Sequence, residues 1–514
     1  MNRRALLAAC AVMSSAFFAT SIGWSAAVAK TITHEVDVVV VGSGAAGLSA
    51  AVEAQESGLK TILLEKRPTL GGSSLYIEGT FAVESQFQKE MYVGMSKDDA
   101  FKIAMEFNHG RINGPLVRRW INNSGATIDW IVAHGVTIHD VRTLFLDGNR
   151  TWHIFKDGQG IEFVEKMTQA FKKAGGVVMT ETPAKDLIMD GSRVAGVVAY
   201  NADGDAVEIK ARGGVVLAAG GFINNKDMLK KYGIDPTYLI IGPPNGHEGD
   251  ATKMYEKIGA KLEGMSTHLA IGAWLPGKDP NTQLYGMGIY PQLTAVLRQP
   301  WMWVSKQGTR FMDEAYAPQW MVTDHAVARV GGFYFSVFDD ESREYMIKTG
   351  VDISHSDWVR VGAKLDKLDE GLTVGQKEGY VFKGSTIEEL AGKMGVDPAA
   401  LRKTVEDNNR YAVQGYDEEF PKPRKFIRPV KKGPFWAVRG QQGTLITLGG
   451  PATTTDMQVL KQDGTPIPGL YAAGVETGGI FGDSYSLLLE GAASSMAMNT
   501  GRFAAQAIRA AQKK

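Results

Sequence analysis

Apolar and polar positions follow distinct periods along the chain. Residues 35–41 form a β-branched run that stays apolar through Val38-Val39-Val40-Val41 and stops at Gly42, the pattern of a strand buried on both faces. Residues 45–58 have helical composition and end on a glycine, and residues 60–65 form a second strand, so the start of the chain predicts a β-α-β unit. Residues 191–200 and 206–211 alternate as an antiparallel hairpin around Ala202-Asp203-Gly204-Asp205, and residues 214–219 predict a buried strand closing on Gly220-Gly221. From about Pro276 to Gln442 the texture changes to aromatics, prolines and short helices, with Trp274, Trp301, Trp303, Trp320, Trp358 and Trp436 in or beside it. This predicts an inserted second domain. Residues 469–473 return to an apolar strand, and residues 490–511 predict a long helix of small residues.

Composition narrows the functions open to such a chain. Its 514 residues have room for two or three domains, and 56 Lys+Arg balance 56 Asp+Glu with no basic block. A nucleic-acid reader needs cations to neutralise phosphates, so that class is excluded. The 60 glycines are about 12% of the chain, against a usual level of about 7%. Such an excess points to many tight turns and phosphate-cradling loops. Cys10 is the single cysteine, which excludes disulfide scaffolds, Cys-ligated zinc, iron-sulfur clusters and haem attachment. The nine histidines show no paired spacing for a metal, so none is expected. Gly482-Asp483-Ser484-Tyr485-Ser486 lacks the second glycine of a nucleophile elbow.

Residues 1–29 contain no acidic residue, begin Asn2-Arg3-Arg4, continue apolar and end Ala27-Val28-Ala29 before Lys30. This reads as a signal peptide with an A-x-A cleavage site, and the paired arginines resemble the twin-arginine type, with the general secretory route as the alternative. A periplasmic location is expected. No later run of about 20 apolar residues exists, so no transmembrane anchor is expected.

The strand ending at Val41 runs into Gly42-Ser43-Gly44-Ala45-Ala46-Gly47, a G-x-G-x-x-G turn before a helix. Its glycines let the backbone approach a pyrophosphate seated on the helix N-terminus. Glu65 follows 18 residues after Gly47, at the end of the second strand, where a carboxylate accepts from ribose hydroxyls. FAD is favoured over NAD by the second glycine turn just beyond, Gly71-Gly72-Ser73-Ser74, which suits a longer cofactor.

These segments, with Gly246-His247-Glu248-Gly249-Asp250, Gly308-Thr309-Arg310-Phe311-Met312-Asp313-Glu314 and Gly469-Leu470-Tyr471-Ala472-Ala473-Gly474, resemble the fumarate reductase / 3-ketosteroid dehydrogenase flavoprotein superfamily, in family order over nearly all of the mature chain. The resemblance implies an α/β fold. Its Rossmann-type FAD-binding domain is built from two segments, 30–275 and 444–514, and an α+β capping domain, 276–443, is inserted between them. It implies non-covalent FAD held by Gly42, Gly44, Ala45, Ala46, Gly47, Glu65, Lys66, Gly72, Ser73, Ser74, Gly79, Thr80, Ala184, Asp250 and Glu476, with no His or Cys tether in these segments.

The chain departs from the fumarate reductases of that superfamily where their chemistry lies. Their proton-donor arginine stands eight residues past the arginine of G-x-R-F, and the count from Arg310 reaches Pro318. The two cationic grips on dicarboxylate are replaced by Leu445-Ile446-Thr447-Leu448-Gly449-Gly450 and by Gly482-Asp483-Ser484-Tyr485-Ser486. A buried carboxylate without paired donors is heavily penalised, so fumarate and succinate are not expected as substrates. Gly482-Asp483-Ser484-Tyr485 resembles the segment with which the ketosteroid dehydrogenases hold a ketone oxygen. The resemblance implies Tyr485 as an oxyanion-type donor and Gly491 as an amide donor to the substrate, at a longer spacing than that branch has. Arg298 lies near the second arginine of the family's proton route, Tyr316 lies in the segment that lost the donor, and His153 precedes a glycine turn as a family histidine does. Packing roles compete for Tyr485, Tyr316 and His153, and a salt bridge for Arg298.

The expected function is an exported FAD oxidoreductase that reduces a C=C bond conjugated to a carbonyl or carboxylate of a small molecule. Without haem or Cys of its own it would take electrons from a separate partner, such as a periplasmic cytochrome or FMN protein. A ketosteroid-dehydrogenase-like desaturase and a flavin electron-transfer subunit without its own substrate are the alternatives.

Overall fold

In the computed structural model, which describes residues 30–143, 148–242, 246–356 and 358–513, the valine run 38–41 lies at the centre of the larger sheet. Successive side chains of a strand face opposite ways. Val38 and Val40 therefore enter one apolar cluster and Val39 and Val41 another, and the strand is buried on both sides. The expected export segment, 1–29, lies outside the described residues.

The sheet runs in the order Gln458–Leu460, Pro466–Ala472, Ala206–Leu217, Thr31–Val41, Thr61–Leu64, Val177–Met179. All these pairings are parallel except the first. The predicted hairpin is present as Arg193–Tyr200 against Ala206–Leu217, with Tyr200 opposite Ala206, and Ala184–Asp190 extends it. The two strands predicted at 206–211 and 214–219 form one, because the register against Thr31–Val41 shifts between Val36 and Val38 and lets the chain continue.

One face of the sheet is covered by the helices Ala45–Glu56 and Ala492–Gln512. They approach closely because their facing residues are small: a side chain at Gly501 would stand 2.1 Å from the Ala46 carbonyl oxygen. The other face carries the hairpin strands and the helix Asp250–Lys257.

A second, antiparallel sheet has the order Met302–Val304, Phe333–Asp339, Phe435–Gln441, Val381–Gly384. Helices flank it, and apolar clusters separate from those of the first sheet form its two faces. Trp274, Trp301, Trp303 and Trp436 are buried, whereas Trp358 is exposed. Trp320, at the start of the helix Trp320–Arg329, packs with Met321 against the core of the large sheet, so this helix joins the two bodies.

The G-x-R-F segment is absorbed by this second core. The Arg310 guanidinium donates to both carboxylate oxygens of Glu314 at 2.8 and 2.6 Å and pairs with Asp417 at 2.8 Å, while Lys422 pairs with Glu314 at 3.1 Å and donates to the Trp301 carbonyl. All four side chains are at most 1% exposed.

Candidate active site

Parallel strands end together, and their carboxyl ends leave a crevice in which α/β sheets bind ligands. Here the Gly42 amide donates to the Leu64 carbonyl at 2.8 Å and the Ala218 amide to the Val41 carbonyl at 2.8 Å, so three strand ends meet around Gly42. Gly42 has φ +98°, and a side chain there would stand 2.3 Å from the Ala218 carbonyl oxygen. Gly47 serves the same turn from behind, since its Cβ would fall 1.8 Å from the Gly42 oxygen. The cleft above holds about 1030 Å³ of atom-free space, part of it open to solvent.

Gly42, Gly44, Ala45, Ala46, Glu65, Lys66, Gly72, Ser73, Ser74, Ala184 and Asp250 all line this cleft. The structure thus brings together residues from opposite ends of the expected first FAD-binding segment. Ser74 Oγ accepts from the Ala45 amide at 2.7 Å and ties the second glycine turn to the helix N-terminus. No residue of the helix's own N-cap caps it by a side chain, which leaves first-turn amides to serve an anion. Glu65 Oε2 accepts from Ser43 N and Oγ at 3.1 and 2.5 Å, and Oε1 from Arg67 N at 2.9 Å. A carboxylate has about four acceptor sites, so one remains for a ribose hydroxyl. Burial alone would lower the Lys66 pKa, but Asp250 at 2.6 Å and Glu248 at 3.2 Å hold it above its ordinary value.

Gly79, Thr80 and Glu476 are not among the residues that line the cleft. Gly79 accepts from Ser494 Oγ at 2.8 Å, and Ser494 lines the cleft. Glu476 accepts from the amide of the cleft-lining Ala219 at 3.0 Å, and complete burial pushes its carboxyl well above the usual range. Sequence reasoning missed Ala219 and Gly220 as wall residues, although the glycine pair at 220–221 marked them. Ile446 and His247, from segments that carry the family resemblance, also line the cleft. His247 hydrogen-bonds Ser73 Oγ at 2.8 Å, and burial together with Lys66 and Arg67 lowers its pKa to about 4.

The candidates for substrate chemistry are dispersed. Tyr485 is buried against Phe481, with ring centroids 5.3 Å apart, and its hydroxyl oxygen accepts from the Ala493 amide at 3.3 Å. Ala493 itself lines the cleft, in the first turn of Ala492–Gln512. Burial pushes the Tyr485 hydroxyl up to about 12, so it keeps its proton at neutral pH. Gly491 precedes that helix with φ +78°, and a side chain would stand 2.6 Å from the Phe81 nitrogen. Its carbonyl accepts from Phe81 N at 3.1 Å.

Arg298 is fully buried between the rings of Trp320 and Trp274, at 4.4 and 5.3 Å, with no hydrogen bond to its guanidinium among the described residues. Burial lowers its pKa to about 10. Tyr316 is half-exposed and does not line the cleft. His153 is wholly buried on the strand Trp152–Phe155, with Nε2 2.7 Å from Ser85 Oγ and Nδ1 3.0 Å from the Thr151 carbonyl, and burial lowers its pKa to about 4. Both ring nitrogens are occupied away from the cleft.

A model of the family described as FAD binding domain matches residues 37–488. The chain belongs to this family. It is 33% identical over 486 residues to the vinyl phenol reductase of Lactiplantibacillus plantarum, covering 91% of this chain and 96% of that one. It is 30% identical over 450 residues to the NADH:fumarate oxidoreductase of Klebsiella pneumoniae, covering 87% of this chain and 45% of the relative, so it spans about half of that protein's length. Among solved structures, the 3-ketosteroid delta1-dehydrogenase from Sterolibacterium denitrificans matches the fold with TM-score 0.72 at 23% identity, over 93% of this chain and 100% of that one. The protein is thus a FAD-dependent oxidoreductase of a family that acts on C=C bonds. The open helix N-terminus, the free acceptor site of Glu65 and the glycine cradle at Gly42 fit its cofactor, FAD.

Proposed function

We propose that this oxidoreductase reduces a C=C bond conjugated to a neutral, oxygen-bearing group, with FAD held non-covalently. The observation that carries the reading is Tyr485. Its oxygen takes the Ala493 amide at the rim of the cofactor cleft, which leaves its O–H proton for a further acceptor. A hydroxyl so placed stabilises charge that builds on a substrate oxygen. When bound and reduced, FAD supplies a hydride. Residues 276–443 would close over the flavin ring as a cap between the cofactor-binding parts 30–275 and 444–514.

Neutrality of the substrate rests on the missing cations. Lys66 and Arg67 line the cleft, but both stand beside Glu65, and the segments that resemble the dicarboxylate grips of the family carry Ile446 and Tyr485 instead of a cation. The name of the relative from L. plantarum, which this chain spans almost end to end, agrees with a substrate lacking a carboxylate. A panel of enones, enoates, vinylarenes and fumarate, offered without oxygen to the reduced enzyme, tests this by flavin reoxidation. Each lost charge-assisted hydrogen bond removes about 1.5–3 kcal/mol, so fumarate should react about 100-fold or more slowly than the best neutral alkene. Rapid reoxidation by fumarate would overturn the reading.

The twin-arginine signal peptide would deliver the protein to the periplasm, and N-terminal sequencing of the mature chain should begin at Lys30. Electrons would come from a separate carrier such as a periplasmic cytochrome or FMN protein.

A further inference from the structure

Arg298 and Asp324 are buried charges of opposite sign on the wall of one internal cavity. The cavity is also lined by Gly272, Thr323, Tyr334 and Gln441, shares no residue with the cofactor cleft, and has about 250 Å³ of atom-free space, part of it open to solvent. It admits about one water-sized sphere. Among the described residues on its wall, Arg298 is the only base and Asp324 the only acid. Arg298 is 1% and Asp324 2% exposed, and the guanidinium has no hydrogen-bond partner among the described residues. The two charges share a cavity without being bonded to each other.

The cavity lies where the chain crosses between the two bodies. Ala270 belongs to the core of the large sheet and Leu275 to that of the second body, and on the return Val438 belongs to the second core and Ile446 to the first. The two crossings pair with each other: Trp274 N donates to the Gln441 carbonyl at 3.0 Å, Gln441 N to the Trp274 carbonyl at 2.9 Å, and Ile271 N to the Gly443 carbonyl at 2.9 Å. Asp324 clasps both. Its Oδ1 accepts from the Gly443 amide and its Oδ2 from Gln442 Nε2, each at 3.1 Å, and a side chain at Gly272 would stand 2.6 Å from Oδ1. The helix that carries it, Trp320–Arg329, places Met321 in the first core and Val327 in the second.

The groups around the cavity leave these two charges to each other. His268 Nε2 stands 3.9 Å from Asp324 Oδ2, beyond hydrogen-bond distance. Burial raises the Tyr334 pKa, so this hydroxyl keeps its proton and donates to the Leu297 carbonyl at 2.5 Å. Burial, and then the charge of Arg298, lower the His355 pKa to about 3, so this imidazole is neutral and donates from Nε2 to the Gln283 carbonyl at 2.7 Å. Arg298, whose pKa burial lowers only to about 10, stays charged at pH 7. An uncompensated buried charge is strongly destabilising.

We infer that this cavity binds a single water, which accepts from Arg298 and donates to Asp324, and that the water-bridged ion pair locks the hinge between the two bodies. An anion would lie against the Asp324 carboxylate, and a larger neutral guest would not fit. A water suits both sides. Its oxygen takes a guanidinium N–H, one hydrogen goes to the carboxylate, and the other can reach Thr323 Oγ1, which donates to the Trp320 carbonyl at 3.0 Å and is left as an acceptor. A bridging water is nearly as favourable in enthalpy as a direct hydrogen bond. The inference is independent of the substrate reading above.

The test uses the FAD-loaded enzyme and its variants R298M, D324N and R298M/D324N. Hydrogen exchange, followed by mass spectrometry in the peptide that contains Gly443, reads the hinge. Each single variant leaves one charge buried alone and should exchange about tenfold or more faster than wild type, whereas the double variant, with both charges gone, should exchange more slowly than either. Where a single variant fails to fold, folded double variant is the same result. Exchange in the double variant as fast as in the faster single, or no change in either single, would overturn the lock. A crystal structure of the wild type, grown with bromide, tests the ligand without any variant. It should show one water within hydrogen-bond distance of both side chains and no anomalous bromide signal in the cavity. A bromide there, or direct contact between Arg298 and Asp324, would overturn the water bridge.

Discussion

Tyr485→Phe should lower kcat about 100- to 1000-fold while KM changes little. The variant keeps the ring and its contact with Phe481, and it deletes only the hydroxyl that sits on the Ala493 amide. Losing one donor of an oxyanion-type site costs on the order of 3 kcal/mol of transition-state stabilisation. Because charge on the substrate oxygen grows only as hydride is accepted, the loss falls on kcat more than on binding. FAD content should hardly move, and thermal stability should fall only by the one hydrogen bond lost from the Ala493 amide, since the change leaves no cavity larger than a hydroxyl. Stopped-flow reoxidation of the reduced flavin by the best alkene measures the effect. Full turnover would assign Tyr485 to packing alone, and loss of FAD would assign it to the cofactor.

Glu314→Ala should destabilise the second body by about 3–5 kcal/mol, the cost of leaving buried charges without their partner. Glu314 sits between Arg310 and Lys422 and also accepts from the Trp303 amide at 3.1 Å. Its removal leaves Lys422, already pulled below its ordinary pKa by burial, with one counter-charge fewer. The same pairing sets a pH dependence. Burial alone would raise the Glu314 pKa, but Lys422 and Arg310 outweigh it and hold the carboxyl below its ordinary 4.5. A depressed folded pKa gives stability that is present above the unfolded value and lost as pH falls through the folded one. Wild-type stability should therefore fall in acid below about pH 4.5, and the variant should lack this component. Denaturant unfolding followed by tryptophan fluorescence, to which Trp301, Trp303 and Trp436 of this core contribute, reads both effects. An unchanged midpoint would show that the network contributes no net stability.

The sequence by itself determined the cofactor half of this protein, because its signals are local. A strand of consecutive valines, a glycine turn, a helix and a carboxylate at the end of the next strand lie within residues 38–65, and each dictates a backbone geometry with no help from distant residues. The absence of a proton donor at position 318 was likewise legible, since Pro318 cannot donate in any fold.

Only the tertiary structure decided the rest. The sequence offered His153 as a substrate contact and Arg298 as part of a proton route, but only the structure shows their surroundings: His153 pairs with Thr80 inside a sheet, and the rings of Trp274 and Trp320 lie 5.3 and 4.4 Å from the Arg298 guanidinium. Asp324 carries no signal of its own, standing 26 residues after Arg298 in the chain. The two reach one cavity because Trp320 and Met321 bury their apolar surface against the core of the large sheet while Val327 of the same helix enters the core of the second body. Hydrophobic burial is non-directional, and sequence patterns show which faces are buried but not against what. Which side chains come to share a site is settled only when those faces find their partners.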